Sequence, residues 1–193
     1  LPRGRWAIVH ELVCQDMAAK TFGEMIQRDV ASMFANCDLT FYGDPAGDQR
    51  AQTDERTPFQ ILRGAGINAL PAPSNDVSLR LESVNACLSR MIDGHPALLV
   101  DPSCATIKKG FAGGYHYRRL NVSGTERFEE KPSKNRFSHV HDALQYALIG
   151  AGEGRRLISN GNAMKPVVAK RDFDPFNHKR RKKKSPWQQA RFG

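Results

Sequence analysis

The most constraining feature of this sequence is residues 39–47, where a predicted strand stops abruptly at an aspartate. Phe41 and Tyr42 are typical of a pleated, half-buried strand, whereas Pro45 cannot continue the hydrogen bonding of a sheet. Asp44 is therefore expected at the carboxyl end of a strand. In open α/β sheets this is the position at which ligands and metals bind.

A second carboxylate, Asp142, lies on a helix predicted over residues 138–148. Val140 and Leu144 recur at helical spacing, and Asp142 lies beside this apolar stripe. Carboxylate oxygens are the ligands that Mg²⁺ and Mn²⁺ prefer. The sequence therefore predicts that Asp44 and Asp142 meet around a divalent metal. Each residue alone also fits a structural role, as a turn-forming aspartate before proline or as an exposed helix residue.

Alternating strand and helix patterns predict an α/β fold. The first strand is predicted over residues 5–13. A helix over residues 21–34, opened by a capping box at Thr21 and Glu24, is expected to cross from that strand to the strand ending at Asp44.

Three further signals define the middle of the chain. Thr57, followed by proline and by Gln60, predicts a capped helix start. A long helix is expected over residues 77–93, with Gly94 as its stop. Asp101 also follows a predicted strand and precedes proline, but it is expected to cap the next helix. The remaining predicted elements are strands at 67–70 and 97–100, a helix at 103–109, and a hairpin of 115–120 and 126–129.

The net charge of +9 is concentrated at the C-terminal end. Ten of the 29 Lys and Arg residues, but only two of the 20 Asp and Glu residues, lie within residues 165–193. We therefore predict a folded domain over residues 1–156 and a basic, flexible tail over residues 157–193. The centre of the tail has the composition of segments that bind polyanions, and it consists of Lys179, Arg180, Arg181, Lys182, Lys183 and Lys184.

Other classes of protein are disfavoured by what the sequence lacks. No apolar run is long enough to span a bilayer, and no signal-peptide pattern is present, so we expect a soluble intracellular protein without a membrane partner. The four cysteines form no C-x-x-C pair, which predicts reduced core residues and no zinc site.

Four groups of residues occur in a distinctive order between about residues 5 and 152. They are Gly43-Asp44-Pro45-Ala46-Gly47 with Asp48-Gln49-Arg50, Arg80-x-Glu82-x-Val84-Asn85, Lys131-Pro132-x-Lys134-Asn135, and Ser138-His139-x-x-Asp142-Ala143-Leu144-Gln145-Tyr146. Together they resemble the nuclease domain of the large terminase subunit of tailed bacteriophages.

The resemblance implies an RNase H-like mixed sheet flanked by helices, which cuts concatemeric viral DNA with two Mg²⁺ or Mn²⁺ ions held by three acidic residues. The second and third acids of that family correspond to Asp44 and Asp142. The first acid, with its strand, would lie upstream of Leu1, so the resemblance implies an N-terminally incomplete domain that cleaves slowly. The packaging ATPase of the family is not expected here, because the chain has no G-x-x-x-x-G-K-[ST] loop.

The resemblance also implies partners and a location. Double-stranded DNA is the expected substrate, and the portal and the small terminase subunit are the expected partners of the full-length protein. The expected location is the cytoplasm of the bacterial host, transiently at the procapsid portal.

Further residues are candidates for roles around the metal or on DNA. Lys131 and Lys134 are expected to contact DNA or the hydrolytic water. Glu82 is an auxiliary ligand or DNA contact, or alternatively a solvated glutamate, and His139 is expected just behind the metal ligands. The predicted DNA contacts in the folded domain are Arg50, Arg118, Arg119 and Arg136.

Two alternatives are retained. One is another RNase H-like phosphodiester hydrolase, such as a junction resolvase or transposase. The other is a non-catalytic module that binds DNA or the portal through its basic tail.

Overall fold

The computed structural model describes residues 4–48, 56–120 and 127–154, and within these ranges the chain is mixed α/β. Its helices are α1 (Ala19–Met33), α2 (Pro58–Gly64), α3 (Val77–Ser89), α4 (Ala105–Lys109) and α5 (Ser138–Gly150). Its strands are β1 (Trp6–Ile8), β2 (Phe41–Gly43), β3 (Ala69–Pro71), β4 (Met91–Ile92), β5 (His95–Pro96), β6 (Leu98–Val100), β7 (Tyr117–Leu120) and β8 (Arg127–Pro132). None of the described helices is long and apolar enough to cross a membrane.

The described strands pair as four separate two-stranded sheets. β1 is parallel to β6, and β2 is parallel to β3, whereas β4 with β5 and β7 with β8 form antiparallel pairs. The short helix α2 connects β2 to β3, as parallel pairing requires. The hairpin predicted near residues 115–129 is confirmed as β7 and β8.

The predicted crossover through α1 was wrong. In the described ranges β1 pairs with β6 and β2 pairs with β3, so α1 connects strands of two different sheets. No single mixed sheet is formed by these strands. Hydrophobic periodicity indicates where a strand lies, but it does not indicate which strand is its neighbour.

The two predicted capping boxes had different outcomes. At α2, Thr57 Oγ1 accepts a hydrogen bond from Gln60 N at 3.2 Å, and Gln60 Oε1 accepts one from Thr57 N at 3.0 Å, so this capping box is confirmed. The capping box at Thr21 was wrong, because α1 begins at Ala19 with Ala18 as an uncapped N-cap residue. Thr21 therefore lies inside the first helical turn, where its hydroxyl cannot cap.

The predicted helix over residues 77–93 is too long. α3 ends at Ser89, and Asp93 and Gly94 form the turn of the β4–β5 hairpin with φ values of 51° and 74°. Asp-Gly with both residues in the left-handed region is typical of a two-residue hairpin turn. Gly94 thus lies in the turn between two strands and does not end a helix.

The core that positions α5 lies between α3, α5 and the two parallel strand pairs. One cluster contains Val84, Cys87, Leu98 and Leu148, and a second contains Ala72, Tyr146 and Ile149. The four cysteines are free thiols, of which Cys87 and Cys104 are buried and Cys37 is exposed. The prediction that the cysteines occupy core positions is therefore confirmed only for Cys87 and Cys104.

Two close packing contacts fix the element that carries Asp44. The aromatic ring of Tyr42 lies so near to Gly150 that a Cβ atom there would overlap it, which ties β2 to the end of α5. On the other side, a Cβ at Gly47 would lie 2.9 Å from Cε1 of the buried Phe59. The strand end is therefore held between α5 and α2.

Candidate active site

Asp44 follows the last residue of β2 and begins the 3₁₀ turn Pro45–Asp48. Its Oδ1 accepts a hydrogen bond from Ala46 N at 2.9 Å, and its carbonyl oxygen accepts one from Gly47 N at 2.8 Å. The side chain itself is exposed. The local sequence thus orients the carboxylate outward from a fixed turn.

Asp142 lies in the second turn of α5 and is mostly buried, with two cations at its carboxylate. Arg80 Nη1 lies 3.2 Å from Oδ1, and Lys134 Nζ lies 2.7 Å from Oδ2. The two partners come from different segments, α3 and the connection between β8 and α5. Both carboxylate oxygens are therefore engaged.

Arg80 is the buried centre of the network around Asp142. Its side chain is 7% exposed, it donates to Gln145 Oε1 at 3.0 Å, and its guanidinium lies 4.5 Å from the centre of the Tyr146 ring. Gln145 in turn donates to the Tyr115 hydroxyl at 3.0 Å. Since burying an unpaired guanidinium is costly, these contacts hold both the cation and the carboxylate in place.

Tyr146 connects this network to the Asp44 turn. Its hydroxyl donates to Asn75 Oδ1 at 2.6 Å. Burial, and then the nearby Asp44 carboxylate, raise the pKa of the Tyr146 phenol above its usual value. The phenol therefore remains a neutral hydrogen-bond donor at physiological pH.

Asp44 and Asp142 line one cavity of about 260 Å³. The structure thus brings together four residues that were predicted from the sequence, Asp44, Asp142, Lys131 and Lys134. Asn75, Arg80 and Tyr146 also line this cavity. We call this set of seven residues the acidic cavity.

Other predicted residues lie elsewhere. Glu82 is exposed on α3 and does not line the acidic cavity. His139 is exposed and lines a different cavity of about 270 Å³, together with Arg136 and Lys109. His139 is not among the residues that line the acidic cavity, although its i, i+3 spacing places it on roughly the same side of α5 as Asp142. Its expected position behind the metal ligands stays a prediction.

The structure describes only some of the remaining predicted DNA contacts. Arg118 and Arg119 are exposed on β7. Arg50 and the cations Lys179, Arg180, Arg181, Lys182, Lys183 and Lys184 lie outside the described residues, as does the tail predicted over residues 157–193. Their roles stay predictions.

Sequence reasoning missed the parts played by Arg80 and Tyr146. Asp142, Gln145 and Tyr146 have i, i+3 and i+4 spacing, which places them on one face of α5 and was a usable signal. Arg80 gave no comparable signal, because an arginine within an amphipathic helix is typical of an exposed position. Only the packing of α3 against α5 makes it a buried residue.

His141, beside Asp142, has a structural environment. Its Nε2 lies 3.2 Å from the Ile107 carbonyl oxygen, and its ring stacks on Tyr115 at 4.8 Å. Burial lowers the pKa of His141. A neutral, packed imidazole of this kind stabilises the start of α5.

The donor set of the acidic cavity fits a hard divalent cation. Asp44, Asp142 and the Asn75 amide offer oxygen atoms, and the cavity contains no cysteine or histidine. Among the described residues, no group of three or more His, Cys, Asp and Glu is placed to hold a metal.

Comparisons with models of protein families, with curated proteins and with solved structures found no match to this chain.

Proposed function

We propose that this chain is a metal-dependent DNA endonuclease with an RNase H-like fold, corresponding to the nuclease domain of a phage large terminase subunit that cuts concatemeric viral DNA during genome packaging. The observation that carries the proposal is the convergence of Asp44 and Asp142, from segments far apart in sequence, on one cavity together with Lys131 and Lys134. The motif resemblance supports the same assignment.

The carboxylates and the lysines of the acidic cavity have different roles in this function. Asp44 and Asp142 would hold Mg²⁺ or Mn²⁺, and the two lysines would contact the DNA backbone or orient the hydrolytic water. When bound, such ions would supply an activated water and would stabilise the charge on the phosphate and on the leaving oxygen. The water would lose a proton to solvent as its oxygen bonds to phosphorus, and the leaving oxygen would take up a proton from solvent as its bond breaks, so no protein nucleophile is needed.

The supporting residues keep the carboxylates in place. Arg80 fixes the orientation of Asp142 through its contact at Oδ1, and Tyr146 lies between the helix and the Asp44 turn. Arg118, Arg119 and Arg136 are exposed residues outside the cavity, and we propose that they contact the DNA backbone.

The test is nicking of supercoiled plasmid by the full chain with Mn²⁺, over long incubations. The variants are Asp44→Asn and Asp142→Asn, and the matched control is Asp101→Asn, which removes the same charge at another strand end. We expect slow nicking by the parent and the control and its loss in both site variants. Nicking by Asp44→Asn and Asp142→Asn at the parental rate would overturn the proposal.

A second candidate, a non-catalytic module that binds DNA or the portal, rests on the charge of residues 165–193. Deleting these residues distinguishes the two. A nuclease with an accessory tail keeps Mn²⁺-dependent nicking after the deletion and loses only DNA affinity, whereas a module that acts through its tail loses all measurable function.

A further inference from the structure

The two cations that contact Asp142, Arg80 and Lys134, differ greatly in burial and in the number of other contacts that fix them. Arg80 is 7% exposed and is fixed by Gln145 and Tyr146, whereas the Lys134 side chain is 72% exposed. Arg80 bonds Oδ1 and Lys134 bonds Oδ2. Each oxygen of the carboxylate therefore has a counter-charge of a different kind.

Removing the two counter-charges has different costs. Moving Arg80 away would remove the buried charge partner of Asp142 Oδ1 and would separate a buried guanidinium from its carboxylate, which is strongly unfavourable. Moving Lys134 away costs less, because its ammonium is already exposed and is hydrated when it leaves, and pairs with an exposed partner contribute little. A ligand that needs an oxygen of Asp142 is therefore expected to take Oδ2.

A divalent cation competes with the ammonium for that oxygen. Two positive charges at one carboxylate oxygen repel each other, and the repulsion grows as water is excluded. Binding of the cation at Oδ2 therefore weakens the contact with Lys134 and favours its departure. Its exposed position between β8 and α5 allows this without a change in the buried network.

We propose that Lys134 is an exchangeable counter-charge that neutralises Asp142 until a divalent cation displaces it from Oδ2, while Arg80 remains on Oδ1. The inference rests on the proposed function and adds a residue-level order of events to it. The displaced ammonium stays at the mouth of the acidic cavity, where the phosphate of an incoming DNA strand is its natural new partner. Metal binding thus prepares the site for DNA.

Mn²⁺ titration of the full chain, followed by the electron paramagnetic resonance signal of the free ion, tests this proposal. The variant is Lys134→Met, which removes the competing charge. Lys131→Met is the matched control, because it removes one charge from the same cavity, and Lys134→Arg keeps the charge at the displaced position. Asp44→Asn and Asp142→Asn report separately on the metal site itself.

We expect Lys134→Met to bind Mn²⁺ about fivefold more tightly than the parent, in line with the strength of an exposed ion pair. Lys131→Met should change the affinity by less than about twofold, and Lys134→Arg should bind no more tightly than the parent. An unchanged affinity in Lys134→Met, or an equal gain in Lys131→Met, would overturn the exchange while leaving the metal site intact. Undiminished Mn²⁺ binding by Asp44→Asn and Asp142→Asn, or no binding by the parent, would instead overturn the metal site and the exchange with it.

Discussion

Two of the described strands, β2 and β6, are followed directly by Asp-Pro, and of these two aspartates Asp44 alone lines the acidic cavity. Asp44 accepts a hydrogen bond from the backbone N–H two residues later at 2.9 Å, and Asp101 does the same at 2.8 Å. The two turns are therefore closely alike at the level of local hydrogen bonding. Their surroundings are not alike.

The Asp101 carboxylate accepts hydrogen bonds from within its own turn. Ser103 Oγ donates to Asp101 Oδ1 at 2.6 Å, and these bonds from Ser103 lower the pKa of the Asp101 carboxyl. Asp44 instead faces Tyr146 and shares a cavity with Asp142. A strand end is therefore enough to orient a carboxylate. A candidate site also needs a second element that brings another carboxylate and its counter-charge to the same cavity.

The largest expected difference between the two turns is in cleavage. Asp44→Asn should lower Mn²⁺-dependent nicking about 100-fold or more, whereas Asp101→Asn should change it by no more than about twofold. An asparagine oxygen still accepts the backbone hydrogen bond in both turns, so only the charge is removed. Initial nicking rates on supercoiled plasmid measure the effect, and equal losses in the two variants would remove the functional distinction.

The second-largest expected effect concerns the network of contacts around Arg80 and Asp142, which the Asp101 turn lacks. Arg80→Met should lower the free energy of unfolding by about 3 kcal/mol, because it leaves the Asp142 carboxylate without its buried partner. Combining it with Asp142→Asn should cost less than the sum of the single changes, since the uncompensated charge is then gone. Urea unfolding measures both effects. Arg118→Met on the exposed strand β7 is the control, and additive losses would show that Arg80 and Asp142 are not coupled.

A smaller effect is expected at the link between the Asp44 turn and α5. Tyr146→Phe removes the hydrogen bond to Asn75, which should lower the free energy of unfolding by about 1 kcal/mol. The ring remains under Arg80, so the loss should be well below that of Arg80→Met. Thermal unfolding of the parent and the variant measures this loss of stability. An unchanged stability would mean that the hydrogen bond from the Tyr146 hydroxyl to Asn75 does not stabilise the fold.

The smallest expected effect is the pH dependence of the Asp101 turn. Because the folded-state pKa of Asp101 lies below its unfolded value, its stabilising contribution is present above the unfolded pKa and is lost as the pH falls through the folded pKa. Ser103→Ala should raise the Asp101 pKa towards its usual value. Carboxyl chemical shifts followed by NMR over an acid titration measure it. An unmoved Asp101 pKa would contradict the role of Ser103.

Local signals in the sequence predicted local structure well. Thr57 and Gln60 form the expected capping box, Asp44 ends a strand, and Asp142 lies on a helix. Each of these depends on a few neighbouring residues. Signals of this kind also predicted Asp44, Asp142, Lys131 and Lys134, which the structure places around one cavity.

What the sequence did not predict depends on contacts between distant elements. The strand partners of β1 and β2, and the burial of Arg80 where α3 packs against α5, both depend on such contacts, and periodicity carries no information about them. The hairpin at Asp93 and Gly94 was a different kind of error. Its Asp-Gly signal was present but was assigned to a helix end, because glycine serves both purposes.

The contact between Gly150 and Tyr42 has a consequence for how the two carboxylates are spaced. Asp142 stands near the start of α5, whereas the tyrosine ring bears on the far end of the same helix and belongs to the strand that leads to Asp44. The packing contact with Tyr42 thus lies about two helical turns from Asp142. A methyl group added at residue 150 would overlap the Tyr42 ring, so either that ring or the end of α5 would have to shift, and each belongs to an element that leads to one of the acids.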